Sequence, residues 1–370
     1  MDSDNKWLGL KKRYIGLDLL RIMAALSVEM THTTRHLNAD YGPLQYYSKM
    51  GAAAFMTGFF MLSGFSLFVN YSSKNAIELP NMKSFFKKRI LGIMPMYLFT
   101  EVVFALFYFF ASKAYPTIEY SIMDELILAP IEILGLQSNF HIIFDYSHNG
   151  MTWFISCIVM CYLVYPLLQE VAKQLSNKAK IRIILLMSGI LLYSPFIQDI
   201  FHTAFIYTNP FFRILEFFIG VLLASMKPQF DENPFIKKNI YKWVTVIFVF
   251  LVYAVGVSVG IYLGIAPRNY MLYSWIGLPC FIVLMIGLSG VESAALSKSK
   301  VIKYCCEASY VFYLAQLFSN TVCLCLMVKY KITNNLIVIL LGWGVCIVIT
   351  VIMHELIEKP VKKILNKRFG

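Results

Sequence analysis

The sequence predicts an all-α, polytopic integral membrane protein: about ten transmembrane helices around a polar central cavity, with both termini cytoplasmic. Three observations carry this. Hydrophobic residues make up 58% of the 370 residues and charged residues only 15%, a balance foreign to water-soluble domains. Apolar runs able to cross about 30 Å of hydrocarbon recur along the whole chain. Basic residues cluster in alternate connecting segments, as the positive-inside rule requires.

The runs place spans near 15–37, 51–70, 90–111, 151–170, 181–198, 209–226, 243–264, 271–289, 308–328 and 335–356. With the N-terminus inside, the cytoplasmic segments hold 25 of the 33 Lys and Arg residues and the outside segments five: Lys49, Lys113, Arg268, Lys329 and Lys331. The net charge of +12 therefore sets topology and meets anionic membrane lipid; it does not indicate a nucleic-acid partner. Residues 1–12 read as a cytoplasmic tail without a signal-peptide cleavage pattern, and 13–365 as one transmembrane domain. Between the third and fourth spans, 112–149 contains SIMDELILAPIEILGL, which is short for a crossing and carries Pro130. A re-entrant or interfacial helix outside the membrane fits it best. Pro95, Pro166, Pro195, Pro210, Pro279 and Pro360 lie at or near span ends and read as terminators or kinks. Gly51, Gly58 and Gly64 in the second span suggest close helix approach. The eight cysteines lack the accompanying Cys/His spacing of a metal site, so no metal is expected.

The first span, GLDLLRIMAALSVEMTHTTRHLN, breaks the apolar rule. It carries Asp18, Arg21, Glu29, His32 and Arg35, and ionisable groups at bilayer depth cost about 2.5–3.5 kcal/mol each on insertion scales, so they face cavities and mark function. Arg21 and His32 are three helical turns apart on one face. They would look toward opposite mouths of one channel. Asp18 stands one turn below Arg21. Glu29 and Arg35 flank His32 at three residues' spacing, where a carboxylate could orient the imidazole as a base. The third span opens SFFKKRILGIMPMY. There Lys87, Lys88 and Arg89 read either as topology anchors or as a phosphate-binding mouth at a helix N-terminus. Trp153, Arg213, Glu216, Tyr310, Tyr313, Gln316, His354 and Glu355 are the remaining in-membrane polar groups, with Arg213 and Glu216 spaced to pair. His141, His148 and His202 fall outside.

Six ordered motifs then resemble the membrane acyltransferase-3 family, whose members move acyl groups onto cell-surface glycans. They are LDLLRIMAALSVEMTH (Asp18, Arg21, His32), FFMLSGFSLF (Ser63, Gly64, Phe65), the basic entry around Arg89, Pro95 and Tyr97, and TWFISCIVMCYLVYPLL (Trp153, Phe154, Tyr162, Pro166). FRILEFFIGVLLA (Arg213, Phe217, Gly220) follows, and ASYVFYLAQLF with LIEKPVKKIL closes the set. The chain departs from the family pattern at Gly92, where a second Arg is common, and at Gln316, where His is common. The resemblance implies an O-acyltransferase of the cell membrane that uses cytoplasmic acetyl-CoA and acylates a hydroxyl of a surface or lipid-linked polysaccharide, alongside polysaccharide-assembly proteins. It implies catalytic roles for His32, as general base or transient acyl carrier, and for Arg21 and Asp18; Glu29 joins them by its spacing to His32. Arg89, Lys88 and Lys87 would hold the donor, and Arg35, Trp153, Arg213, Glu216 and Tyr313 would line the cavity. The alternative class is a transporter or flippase, because His/Glu/Arg sets also build proton relays.

Overall fold

The computed structural model describes residues 14–115, 118–140, 147, 149–201, 205–234, 238–263, 274–291 and 293–369, and every regular element among them is helical. The N-terminal cations Lys6, Lys11, Lys12 and Arg13, together with His141, His148, His202, Lys237 and Arg268, lie outside the described residues.

The principal helices are α1 (Ile15–His36), α2 (Gln45–Tyr71), α3 (Leu79–Ala114), α4 (Ile122–Ile133), α5 (Trp153–Gln174) and α6 (Asn177–Phe201). They continue with α7 (Pro210–Ser225), α8 (Asn239–Tyr262), α9 (Ser274–Leu288), α10 (Lys300–Tyr330), α11 (Asn335–Met353) and α12 (Lys359–Phe369). Among the described residues, seven segments are long and apolar enough to cross a membrane: those within α2, α3, α5, α6, α8 and α10, and the continuous rod α11–α12. The other three expected spans are α1, α7 and α9. They pack in the same bundle, but α1 is charged and α7 and α9 have only 16 and 15 residues. The chain is a multi-pass membrane protein.

Interior and exterior follow from side-chain chemistry. The outward faces of the long helices are largely apolar: Val102, Leu106 and Phe110 on α3, and Ile247, Phe248 and Leu251 on α8, are all exposed. Within a largely apolar core the buried set also includes Arg213, Glu216, Glu29, Gln316 and Asn320 at 0% exposure. At the centre α2 packs chiefly on α7 and on α1, and α1 also lies against α10. The α2–α7 crossing depends on two glycines. A Cβ on Gly64 would stand 2.0 Å from the Phe217 carbonyl oxygen, and one on Gly220 would stand 1.9 Å from that of Met61.

The 112–149 region holds α4, a 12-residue helix of about 18 Å, too short to cross. It is tied back to the bundle by Tyr97, whose hydroxyl donates to the Glu132 carbonyl at 2.7 Å. Ser121 caps it, accepting from the Asp124 N–H. The prolines behave differently from expectation. Pro95, Pro166, Pro195 and Pro279 sit inside continuous helices, so they are absorbed by tertiary packing and do not end elements. Pro360 follows a π-helical turn, His354–Glu358. A proline ring crowds the carbonyl four residues earlier, here Leu356, and a widened turn relieves that contact.

Candidate active site

One cavity of about 400 Å³ opens where α1, α3 and α10 begin and α2 ends. It enters the bundle between α1, α2, α3, α5 and α10, with α12 at its rim. Along α2 its lining runs from Asn70 at the mouth to Met56 at the deep end, about 21 Å of helix. Chemistry changes along that length. The mouth carries Tyr14, Asp18, Asn70, Arg89 and Lys362, and Ser63, Ser66, Arg21 and Ser309 follow. The deep end is closed by Met56, Phe59, Phe154, Ile155 and Tyr313. An anionic head with a long arm and an apolar tip would match this gradient.

Arg89 is the most elaborately held cation at the mouth. Its Nη2 donates to the Tyr71 hydroxyl at 2.6 Å. Its guanidinium carbon stands 5.0, 5.8 and 5.8 Å from the ring centres of Tyr71, Phe85 and Tyr162. Aromatic faces attract a cation and fix its plane, so Arg89 is presented in one orientation. Lys87 and Lys88 differ: both are exposed, and neither lines the cavity. Successive helical residues step about 100° around the axis, which sends three adjacent cations to three directions. Outside the spans, Lys74 is pushed below the ordinary lysine value by partial desolvation and by Lys88 nearby, so positive potential gathers beside this mouth.

Of the five α1 groups, the structure brings Asp18 and Arg21 to the cavity and leaves Glu29, His32 and Arg35 away from it. Asp18 and Arg21 line it one turn apart. Glu29 departs from expectation. It is fully buried toward Asn320 of α10 and Cys346 of α11, because its position on α1 faces those helices; it makes no bond to His32. The His32 ring instead stacks on His36, 5.6 Å between centres and 21° between planes, and its Nδ1 is buried with no hydrogen-bond partner among the described residues. Arg35 and His36 are exposed beside it. His36 was readable from its spacing of four from His32 but lacked a motif to draw notice.

Arg213 and Glu216 do pair. Arg213 Nη1 reaches both Glu216 oxygens at 2.8 Å, while Nε and Nη2 donate to the Tyr207 carbonyl at 2.8 and 2.6 Å. Thr57 of α2 donates to Glu216 Oε1 at 2.8 Å. Phe60, Trp153 and Tyr207 surround the guanidinium. These three and the pair itself stand outside the cavity lining, so Arg213, Glu216 and Trp153 join α2, α5 and α7 within the bundle. Tyr313 does line the deep end; its hydroxyl donates to the Met151 carbonyl and its ring packs on Phe154 at 5.2 Å. Ser66 and Asn70 were legible as a polar stripe with Ser63 at helical spacing. Lys362 lies within the closing motif LIEKPVKKIL, but nothing in that motif points it to a cavity. Among the described residues no group of three or more His, Cys, Asp or Glu side chains is placed to hold a metal ion.

The fold and cavity together define a multi-pass helical bundle with a cavity that is cationic at its mouth and aromatic at its deep end. Residues 14–355 match the model of the acyltransferase-3 family, described as an acyltransferase domain. The chain belongs to that family and is a membrane acyltransferase; the transporter reading falls away. No curated protein and no solved structure gives a significant match.

Proposed function

We propose that this protein takes an acyl group, acetyl in the simplest case, from a cytoplasmic coenzyme A thioester and passes it to a hydroxyl of a surface or lipid-linked polysaccharide. The observation that carries this reading is the cavity's gradient, cations at the mouth and aromatic side chains about 21 Å along α2. Phosphates suit Arg89 at the mouth, and Arg21 lies one step further in. Guanidinium groups meet phosphate with paired donors. The thioester arm would run along Ser63, Ser66 and Asn70, placing the acyl group against Phe59, Phe154 and Tyr313.

His32 lies about 17 Å along α1 beyond Arg21 and outside the cavity lining, which in this reading puts it beyond the aromatic floor. Transfer therefore needs the floor to part, a gating step of the kind that often limits turnover. His32 Nε2 would then take the proton of the acceptor hydroxyl. The hydroxyl oxygen attacks the thioester carbonyl, the carbon–sulfur bond breaks, and the departing thiolate is protonated to the free thiol. Glu29, buried toward α10 and α11, acts on His32 only through the position of α1. Arg35 and His36, exposed beside His32, face the acceptor side.

The test uses purified full-length protein in nanodiscs, acetyl-labelled coenzyme A and the cell's own surface glycan. Label should enter the glycan with wild type and fall at least a hundredfold with His32→Ala. Arg21→Ala should instead raise the donor KM. Unchanged transfer by His32→Ala, or no donor binding by the wild type, defeats the reading.

A further inference from the structure

We propose that Lys362 is a third phosphate-binding cation of the donor site, swung to the cavity by the π-helical turn and braced by a buried Glu358–His354 pair. This rests on the donor reading above. Three observations converge on it. Lys362 lines the cavity together with Arg21 and Arg89, although it comes from the last helix of the chain. α12, which carries it, packs against α3, which carries Arg89, so the two cations flank one mouth. And its ammonium is anchored: Nζ lies 2.6 Å from Glu358 Oε1.

Glu358 itself is fully buried and divides its two oxygens. Oε1 takes Lys362, and Oε2 lies 2.5 Å from His354 Nδ1. His354 is 2% exposed, and Tyr304 of α10 meets its ring edge to face at 5.2 Å. Imidazole, carboxylate and ammonium thus form a chain in which only the last member reaches solvent; the Lys362 side chain is 46% exposed. A lysine needed only to neutralise Glu358 could be buried with it. This one keeps donor capacity for a second anion, since an ammonium has three N–H bonds and Glu358 takes one.

The π turn supplies the direction. It inserts an extra residue per turn between α11 and α12, and such turns recur at functional sites. Without it, every residue after Glu358 would be rotated by about 100° and Lys362 would leave the rim. The ligand class is a polyphosphorylated nucleotide thioester. Its phosphates outnumber what Arg21 and Arg89 can neutralise, and a point-charge lysine complements two planar guanidiniums. Anionic lipid headgroups offer the same phosphate chemistry near a membrane surface and must be separated from it.

Coenzyme A binding by the full-length protein should be measured calorimetrically in nanodiscs of purely zwitterionic lipid and again with anionic lipid added. Lys362→Gln should weaken binding about tenfold in both, with Lys362→Arg close to wild type. The donor KM should rise similarly while kcat changes little. Glu358→Gln should weaken binding less than Lys362→Gln, because it frees the ammonium but unfixes it. Equal binding by wild type and Lys362→Gln overturns the assignment and leaves the donor reading intact. A defect confined to anionic nanodiscs also overturns it, in favour of a lipid contact. If wild type binds no coenzyme A, the donor reading fails first. Should Lys362→Gln not yield folded protein, the Lys362→Arg and Glu358→Gln pair decides: equal loss of binding in both makes the contact structural and sinks the proposal.

Discussion

Arg213, fully buried, and Arg89, half-buried, show how one residue type is used in two ways inside the bundle. Arg213 has spent its donors: Glu216 takes Nη1 and the Tyr207 carbonyl takes Nε and Nη2. Such a pair gains little over an apolar replacement but costs heavily when halved, because the surviving charge stays buried. Arg213→Met should therefore destabilise by about 3–5 kcal/mol, read as a drop in the thermal midpoint of the detergent-solubilised protein. The double variant Arg213→Met with Glu216→Leu should recover much of that loss, since no orphan charge remains. If the single variant is as stable as wild type, the pair is not a structural tie. Arg89, by contrast, is gripped by π faces and one hydroxyl, an arrangement that fixes a cation without neutralising it. That difference separates a fastener from a receptor for anions.

At the scale of elements, the α2–α7 crossing determines where the cavity can be. Met61 and Gly64 touch α7, while Leu62, Ser63 and Ser66, on the neighbouring face of the same helix, line the cavity. Adding a methyl at Gly64 or Gly220 drives a carbon into a backbone carbonyl, which cannot move aside as a side-chain tip can. Gly64→Ala and Gly220→Ala should each cost about 1–3 kcal/mol and, by shifting α2, raise the donor KM. Gly189→Ala, with nothing within 4 Å of the new carbon, is the control and should be neutral or slightly stabilising. Thermal midpoints of the three variants check this directly; equal midpoints would show that the crossing tolerates a methyl group. The π turn is the other decisive element. Pro360 gives a physical cause for it, yet many prolines here, Pro95 among them, are accommodated without one.

Across the molecule, much of the fold was readable because lipid enforces simple rules: α2, α5, α6, α8 and α10 lie close to the expected spans, and the 112–149 segment does contain a helix too short to cross. Part of the site was readable too, since Asp18 and Arg21 stand where an apolar stretch should carry no charge. What the sequence could not convey was angular direction. Lys87, Lys88 and Arg89 are adjacent and chemically alike, yet only Arg89 lines the cavity. Glu29 is placed to touch His32 by spacing, yet the packing of α10 and α11 draws it away. Lys362 reaches the rim through an irregular turn that no periodicity announces. Charge bookkeeping works at the scale of loops, and a site is decided at the scale of one helical step.

The same charge bookkeeping yields a final prediction, about orientation. The cationic mouth lies at the end where α1 begins, and under the expected ten-span topology the 25-to-5 division of basic residues would put that end in the cytoplasm. Donor entry from the cytoplasm depends on it. In a variant with its native cysteines replaced, single cysteines at Ser299, before α10, and at Asp124, in α4, should report opposite sides. A membrane-impermeant maleimide applied to intact cells should label Asp124→Cys, and should label Ser299→Cys only after permeabilisation. Reversed labelling would turn the mouth outward, away from any cytoplasmic thioester, and would leave His32, rather than Arg21 and Arg89, at the end where such a donor is found.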